Sequence, residues 1–97
     1  MALTVVLDEA ARTAVDSAIV KWDDAERVWM AIEWTLSHDP LIGVPLKEGG
    51  STRGFVYREA KSIGQPDVQV IYELTDEEVI VRDAVFSDAQ ASQAGHA

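Results

Sequence analysis

Three runs in the second half of the chain decide the fold: Thr52–Ala60 (TRGFVYREA), Asp67–Leu74 (DVQVIYEL) and Glu78–Phe86 (EVIVRDAVF). Each is short and mixes Val, Ile, Tyr and Phe with polar residues. Each is also bounded by turn signals. That pattern predicts consecutive antiparallel strands rather than helix. Lys61–Pro66 (KSIGQP) reads as a loop longer than a minimal hairpin turn, and Thr75–Glu77 as a tight one. Arg53, Arg58 and Arg82 lie inside the runs. Cations ordered within strands need a counterpart, which here is RNA, a partner protein or the chain's own carboxylates.

Upstream, Leu3–Leu7 (LTVVL) predicts a first strand, and Asp8 is placed to cap a helix over Glu9–Lys21, since a carboxylate there accepts the orphan N–H groups of the first turn. Ala11, Val15, Ala18 and Trp22 recur at helical spacing; Trp22, Ala25, Trp29, Ile32 and Leu36 do the same through a second helix that ends at Leu36. Two helices with matching stripes and little room for a loop predict an αα-hairpin. Ser37–Ser51 carries two prolines and three glycines, which predicts irregular chain. Ser87–Ala97 is small and polar without periodicity, and a frayed tail is expected there. The fold class is therefore α+β. It comprises an N-terminal strand, a helical hairpin and a three-stranded antiparallel meander, with the helices on one face of the sheet and residues 1–86 forming one domain.

Ninety-seven residues suffice for one modest core. There is no apolar run long enough to span a bilayer. The N-terminus lacks the basic segment and long apolar core of a signal peptide, so a cytoplasmic location is expected. No cysteine is present, which removes disulfides and thiolate metal sites. Eight Lys and Arg stand against 17 Asp and Glu, a net charge of −9. A field of that sign repels polyanions, and counterion release on phosphates needs a basic stripe that the sequence does not show. Unassisted nucleic-acid binding is not expected.

The order strand, helix, helix and three strands resembles the RelE/ParE superfamily of bacterial toxins from toxin–antitoxin pairs. The resemblance rests on two segments. HDPLIGVPLKEGGSTRGFVYR is similar to the family's stretch after its second helix, and VQVIYELTDEEVIVRDAVF to its central hairpin. It implies one of two activities. RelE-like members are ribosome-dependent mRNA endonucleases with basic residues on the sheet, whereas ParE-like members bind and poison DNA gyrase. Carried over by position, Arg58 and Arg82 match the basic residues, with Arg53 and Lys47 beside them. The chain departs from the nuclease pattern after Arg82. Asp83 to Asp88 contains no Tyr or His, Phe86 cannot exchange a proton, and His96 stands in the tail. Cleavage through a 2′-hydroxyl needs a base as well as charge. The expected function is a toxin-like component acting by protein binding. A non-toxic regulatory module on the same scaffold is the alternative, and a RelE-type endoribonuclease comes last.

Several residues are singled out for testing. Arg58, Arg82, Arg53 and Lys47 form a candidate anion or partner site, or else the arginines pair with Glu73, Asp83 or Glu59. Arg53 and Arg58 are an odd number of residues apart and so face opposite sides of a strand. The site reading places Arg58 and Arg82 together on one face. Met30 and Trp34 lie off the apolar stripe of the second helix, near Arg27. They either pack under the sheet or form an interface with a partner or a second copy. His38 beside Asp39 reads as helix-end chemistry rather than as a ligand pair. No metal and no cofactor is expected, and the partner is a cognate antitoxin or a homodimer.

Overall fold

The computed structural model describes residues 2–58 and 66–88. In chain order it contains β1 (Thr4–Leu7), α1 (Glu9–Lys21), α2 (Ala25–His38), β2 (Val44–Pro45), β3 (Thr52–Tyr57), β4 (Pro66–Leu74) and β5 (Glu78–Asp88). The strands form one mixed sheet in the order β1-β5-β4-β3-β2, and the class is α+β. β5 pairs antiparallel with β4, β4 with β3, and β3 with β2, while β1 lies parallel to β5.

Local chemistry sets the helix limits. Asp8 Oδ1 accepts a 3.1 Å hydrogen bond from the Ala10 N–H and closes the first turn of α1, a cap worth about 1 kcal/mol. Trp22 ends that helix in extended conformation rather than joining the next one. Its ring stacks toward Phe86 at 6.2 Å, and the Lys21 ammonium lies 4.6 Å from it. α2 begins after Asp24 and runs on to His38, two residues beyond the expected end. Asp39-Pro40 stops it, because a residue before proline is disfavoured in the helical region.

Both helices turn one stripe toward the same face of the sheet. Ala11, Val15, Val28, Trp29, Ile32 and Leu36 meet Val68, Val70, Tyr72, Val79, Val81 and Ala84 in one buried cluster. Each fully buried Leu, Ile or Val contributes roughly 1.5–3 kcal/mol. A tie across the edge fixes β1, as Leu3 N–H donates to the Ser37 carbonyl at 3.0 Å and Ser37 Oγ donates back to the Leu3 carbonyl at 2.7 Å.

Three details depart from the sequence expectation. The linker after α2 is not wholly irregular, since Val44 and Pro45 pair with Gly54 and Arg53 as the edge strand β2. Pro66 belongs to β4 rather than to the preceding loop, as the first residue of the strand, a position proline tolerates. β5 runs on to Asp88, with Ser87 and Asp88 paired to Asp67 and Pro66. The loop expected over 61–65, the strand end at 59–60 and the tail from 89 onward lie outside the described residues.

Candidate functional site

A bulge in β5 sets the position of Arg82. Ile71 pairs with Asp83 but Tyr72 with Val81, so Arg82 is the extra residue and turns out of the ladder. Its Nε and Nη2 donate to Glu73 Oε1 at 3.0 and 2.7 Å, and Nη1 donates to Asp8 Oδ2 at 3.3 Å. These hydrogen bonds, ahead of simple charge attraction, hold the Glu73 carboxyl below its ordinary range and raise the Arg82 guanidinium above its own. Arg82 thus ties the end of β4 to the cap of α1.

Arg58 follows β3, with its Nε 3.3 Å from Asp67 Oδ2. The guanidinium side is 58% exposed while the Asp67 side chain is 6% exposed, so the cation closes over a buried carboxylate. Arg58 and Arg82 both belong to the open face. They stand at the two ends of β4, beside Asp67 and Glu73, about 20 Å apart along the strand at 3.3 Å per residue. Each guanidinium is held at its own end, so the two do not meet in one anion pocket.

Arg53 has a different task. It pairs with Tyr72 on the helix-facing side, and its Nη1 donates to the carbonyls of Leu41 and Gly43. Tyr72 is fully buried. Its hydroxyl donates to the Pro40 carbonyl at 2.7 Å and accepts from the Gly43 N–H at 3.0 Å. Burial pushes the Tyr72 phenol above its usual value, opposed by the Gly43 hydrogen bond and by Arg53. Together the two side chains fasten the 40–43 loop to the sheet. Gly43 is required there because an added Cβ would stand 2.6 Å from the Tyr72 hydroxyl and 2.8 Å from the Gly54 carbonyl. Lys47 sits in the exposed turn closed by Gly50 N–H to Lys47 O at 2.9 Å, where Gly49 takes φ 76°.

The arginines are therefore engaged by the chain's own acceptors. Of the carboxylates named as counterparts, Glu73 serves Arg82, whereas Asp83 accepts from the Ala84 N–H at 2.9 Å. Glu59 lies outside the described residues. His38 bonds the Trp34 carbonyl through Nδ1 at 2.9 Å and stacks on the Trp34 ring at 4.2 Å, which is chemistry of the helix end. Among the described residues no group of His, Cys, Asp and Glu is arranged to hold a metal ion.

What sequence reasoning missed is the surface between these arginines. On the face away from the helices, one cross-strand row runs Val44–Gly54–Ile71–Asp83 and the next Val56–Gln69–Val85. Val44, Leu46, Val56, Ile71 and Val85 are all exposed. Leu46 leans over Gly54, where its Cδ2 lies 3.1 Å from the place a Cβ would occupy. A shallow groove of about 360 Å³ results, walled by Val44 and Leu46 and floored by Gly54, Val56 and Ile71. An antiparallel sheet face in water ordinarily carries polar residues, whereas here Val44, Leu46, Val56, Ile71 and Val85 stand exposed together, interrupted by Gln69 and bordered by Asp83. The signal in the strands was faint, because Val56, Ile71 and Val85 are set among polar outward residues such as Gln69, Glu73 and Asp83. It needed β2 to complete it.

On the other side of the molecule Met30 and Trp34 are 63% and 64% exposed on α2. They do not pack under the sheet. A second depression of about 350 Å³ lies between β1 and the helices, lined by Val5, Leu7, Trp29 and the rim residues Arg12, Asp16 and Glu33. No helix among the described residues is long and apolar enough to cross a membrane. No protein-family model matches the sequence, and no curated protein is similar to it at a significant level.

Proposed function

We propose that this chain is a toxin-like, RelE/ParE-like component of a bacterial toxin–antitoxin pair that acts by binding a protein rather than by cutting RNA. The observation that carries the reading is the apolar strip on the open sheet face, with its groove over Gly54. An extended or helical segment of a partner, either the antitoxin or the cellular target, gains contact there through Val56, Ile71 and Leu46. The element order and the strand hairpin support the scaffold assignment. The occupied arginines speak against phosphodiester cleavage: Arg82 bonds two carboxylates and Arg53 two carbonyls. Phosphate would have to displace those partners before either guanidinium could stabilise it.

Growth on induced expression, with and without the neighbouring gene, tests the reading. Arrest that the neighbour relieves, with no site-specific mRNA ends by primer extension, is the expected result. Growth without arrest would remove the toxin reading and leave the non-toxic binding module. Discrete cuts in mRNA would restore the nuclease.

A further inference from the structure

We infer that the outer side of α2 is a docking ridge for a basic amphipathic helix, a partner surface separate from the open sheet face. Met30, Trp34 and His38 recur at four-residue steps and form one continuous ridge along the exposed side of the helix. Its geometry is fixed from within, because His38 Nδ1 is anchored on the Trp34 carbonyl and the imidazole lies flat against the indole at 19°. The ridge offers on the order of 300 Å² of apolar surface from Met30 and Trp34, given their exposure and the size of such side chains.

Charge identifies the occupant. Glu26 and Glu33 flank the ridge on one side at helical spacing, and on the other Arg27 lies 3.7 Å from Asp24. Residues 8–39, the helical layer with its caps, hold eight carboxylates and three Lys or Arg. By contrast, residues 40–58 hold three Lys or Arg and one carboxylate. Residues 66–88 are acidic as well, with seven carboxylates and one arginine, so the complement specific to the ridge is the pair Glu26 and Glu33 beside it. A helix with two or three apolar side chains along one stripe and Lys or Arg beside them matches both features. A second copy of the chain fits less well. Each copy carries −9, and two ridges together bury about 600 Å², short of the roughly 1,000 Å² total that a specific dimer needs.

The test uses the full chain and a synthetic amphipathic helix of Leu and Lys, about 18 residues long so that the stripe spans the ridge. Controls are a scrambled peptide of identical composition and a peptide with Glu in place of Lys. Titration by nitrogen-proton NMR is expected to shift α2 amides around Met30 and Trp34. The scrambled and acidic peptides should bind at least tenfold more weakly. Trp34→Ala and Met30→Ala each weaken binding by about tenfold, as for an anchor residue, and Glu33→Gln reduces its salt dependence. Val56→Asp, on the opposite face, leaves it unchanged, so failure here is distinguishable from failure of the sheet-face reading. Trp34→Glu serves as a second variant should Trp34→Ala perturb the spectrum globally. Equal binding of the scrambled peptide would overturn the inference, as would binding indifferent to Trp34. Sedimentation showing a dimer that Trp34→Ala converts to monomer would assign the ridge to a second copy instead.

Discussion

Replacing Tyr72 with Phe removes one oxygen and leaves the ring, so it isolates the clamp on the 40–43 loop. In the native protein the hydroxyl satisfies two backbone groups, the Pro40 carbonyl at 2.7 Å and the Gly43 N–H at 3.0 Å. Phe fills the same space but pairs with neither. A buried polar group left without its partner costs about 1–3 kcal/mol, and Arg53 still reaches the loop through Leu41 and Gly43. The loss is therefore about 2 kcal/mol, or about 10 °C in Tm for a domain of this size. Urea and thermal unfolding followed by circular dichroism measure it directly. Gly43→Ala supplies a second arm, because its Cβ would collide with the Tyr72 hydroxyl and also with the Gly54 carbonyl. Part of that collision vanishes in the Tyr72→Phe background, so the two changes are predicted to be less than additive. A Tyr72→Phe protein within about 0.5 kcal/mol of the parent would refute the reasoning, since that is the range of substitutions that break nothing. The alkaline side gives a further check. The folded phenol titrates above its ordinary value because burial disfavours the phenolate. Its contribution is intact below the unfolded value and is lost as pH rises through the folded one. Tyr72→Phe should abolish that alkaline decline.

Arg58→Met uncovers the buried Asp67 carboxylate. It should cost about 1–2 kcal/mol, less than for a fully buried pair because the guanidinium is well exposed, and chemical denaturation measures it. Glu73→Gln removes the negative charge from the oxygen that accepts both Arg82 Nε and Nη2. The Arg82 hydrogen bonds hold the native carboxyl below the usual carboxylate range, so its stabilisation is present above the unfolded value and disappears as pH falls through the lowered one. Acid unfolding curves of the variant should therefore be flatter in that window than those of the parent. Gly49→Ala places a side chain at φ 76° and should lose about 1 kcal/mol by thermal unfolding, with nothing nearby to clash.

Helix periods and strand composition were legible because they are local properties. Val15, Trp29, Ile32 and Leu36 show their burial through spacing alone, and the alternation in the last three runs places Val68, Val70 and Tyr72 on the inner face. The parallel seat of β1 beside β5 was not legible, since no local pattern records which distant strand a short apolar run will join. Arg82 illustrates a second limit. Its partners depend on a bulge that shifts register by one residue, and Asp8 reaches it from the other end of the sequence. Arg53 was read by face correctly, yet its acceptors are main-chain carbonyls of the linker, which carry no signature in side-chain identity. The open-face strip escaped for a related reason. Val44 and Leu46 looked like loop residues, and only their pairing with β3 brings them beside Val56 and Ile71.

Growth arrest by Val56→Asp compared with Arg82→Ala, both verified as folded and equally expressed, tests the central claim most directly. If the open face binds a protein, one carboxylate at Val56 should raise the concentration needed for arrest by about 30-fold, the effect of losing a central anchor. Arg82→Ala should then act no more strongly than its stability loss predicts. The reverse pattern, with Arg82→Ala inactive and Val56→Asp fully toxic, would contradict the account and return the arginines to the centre of the site.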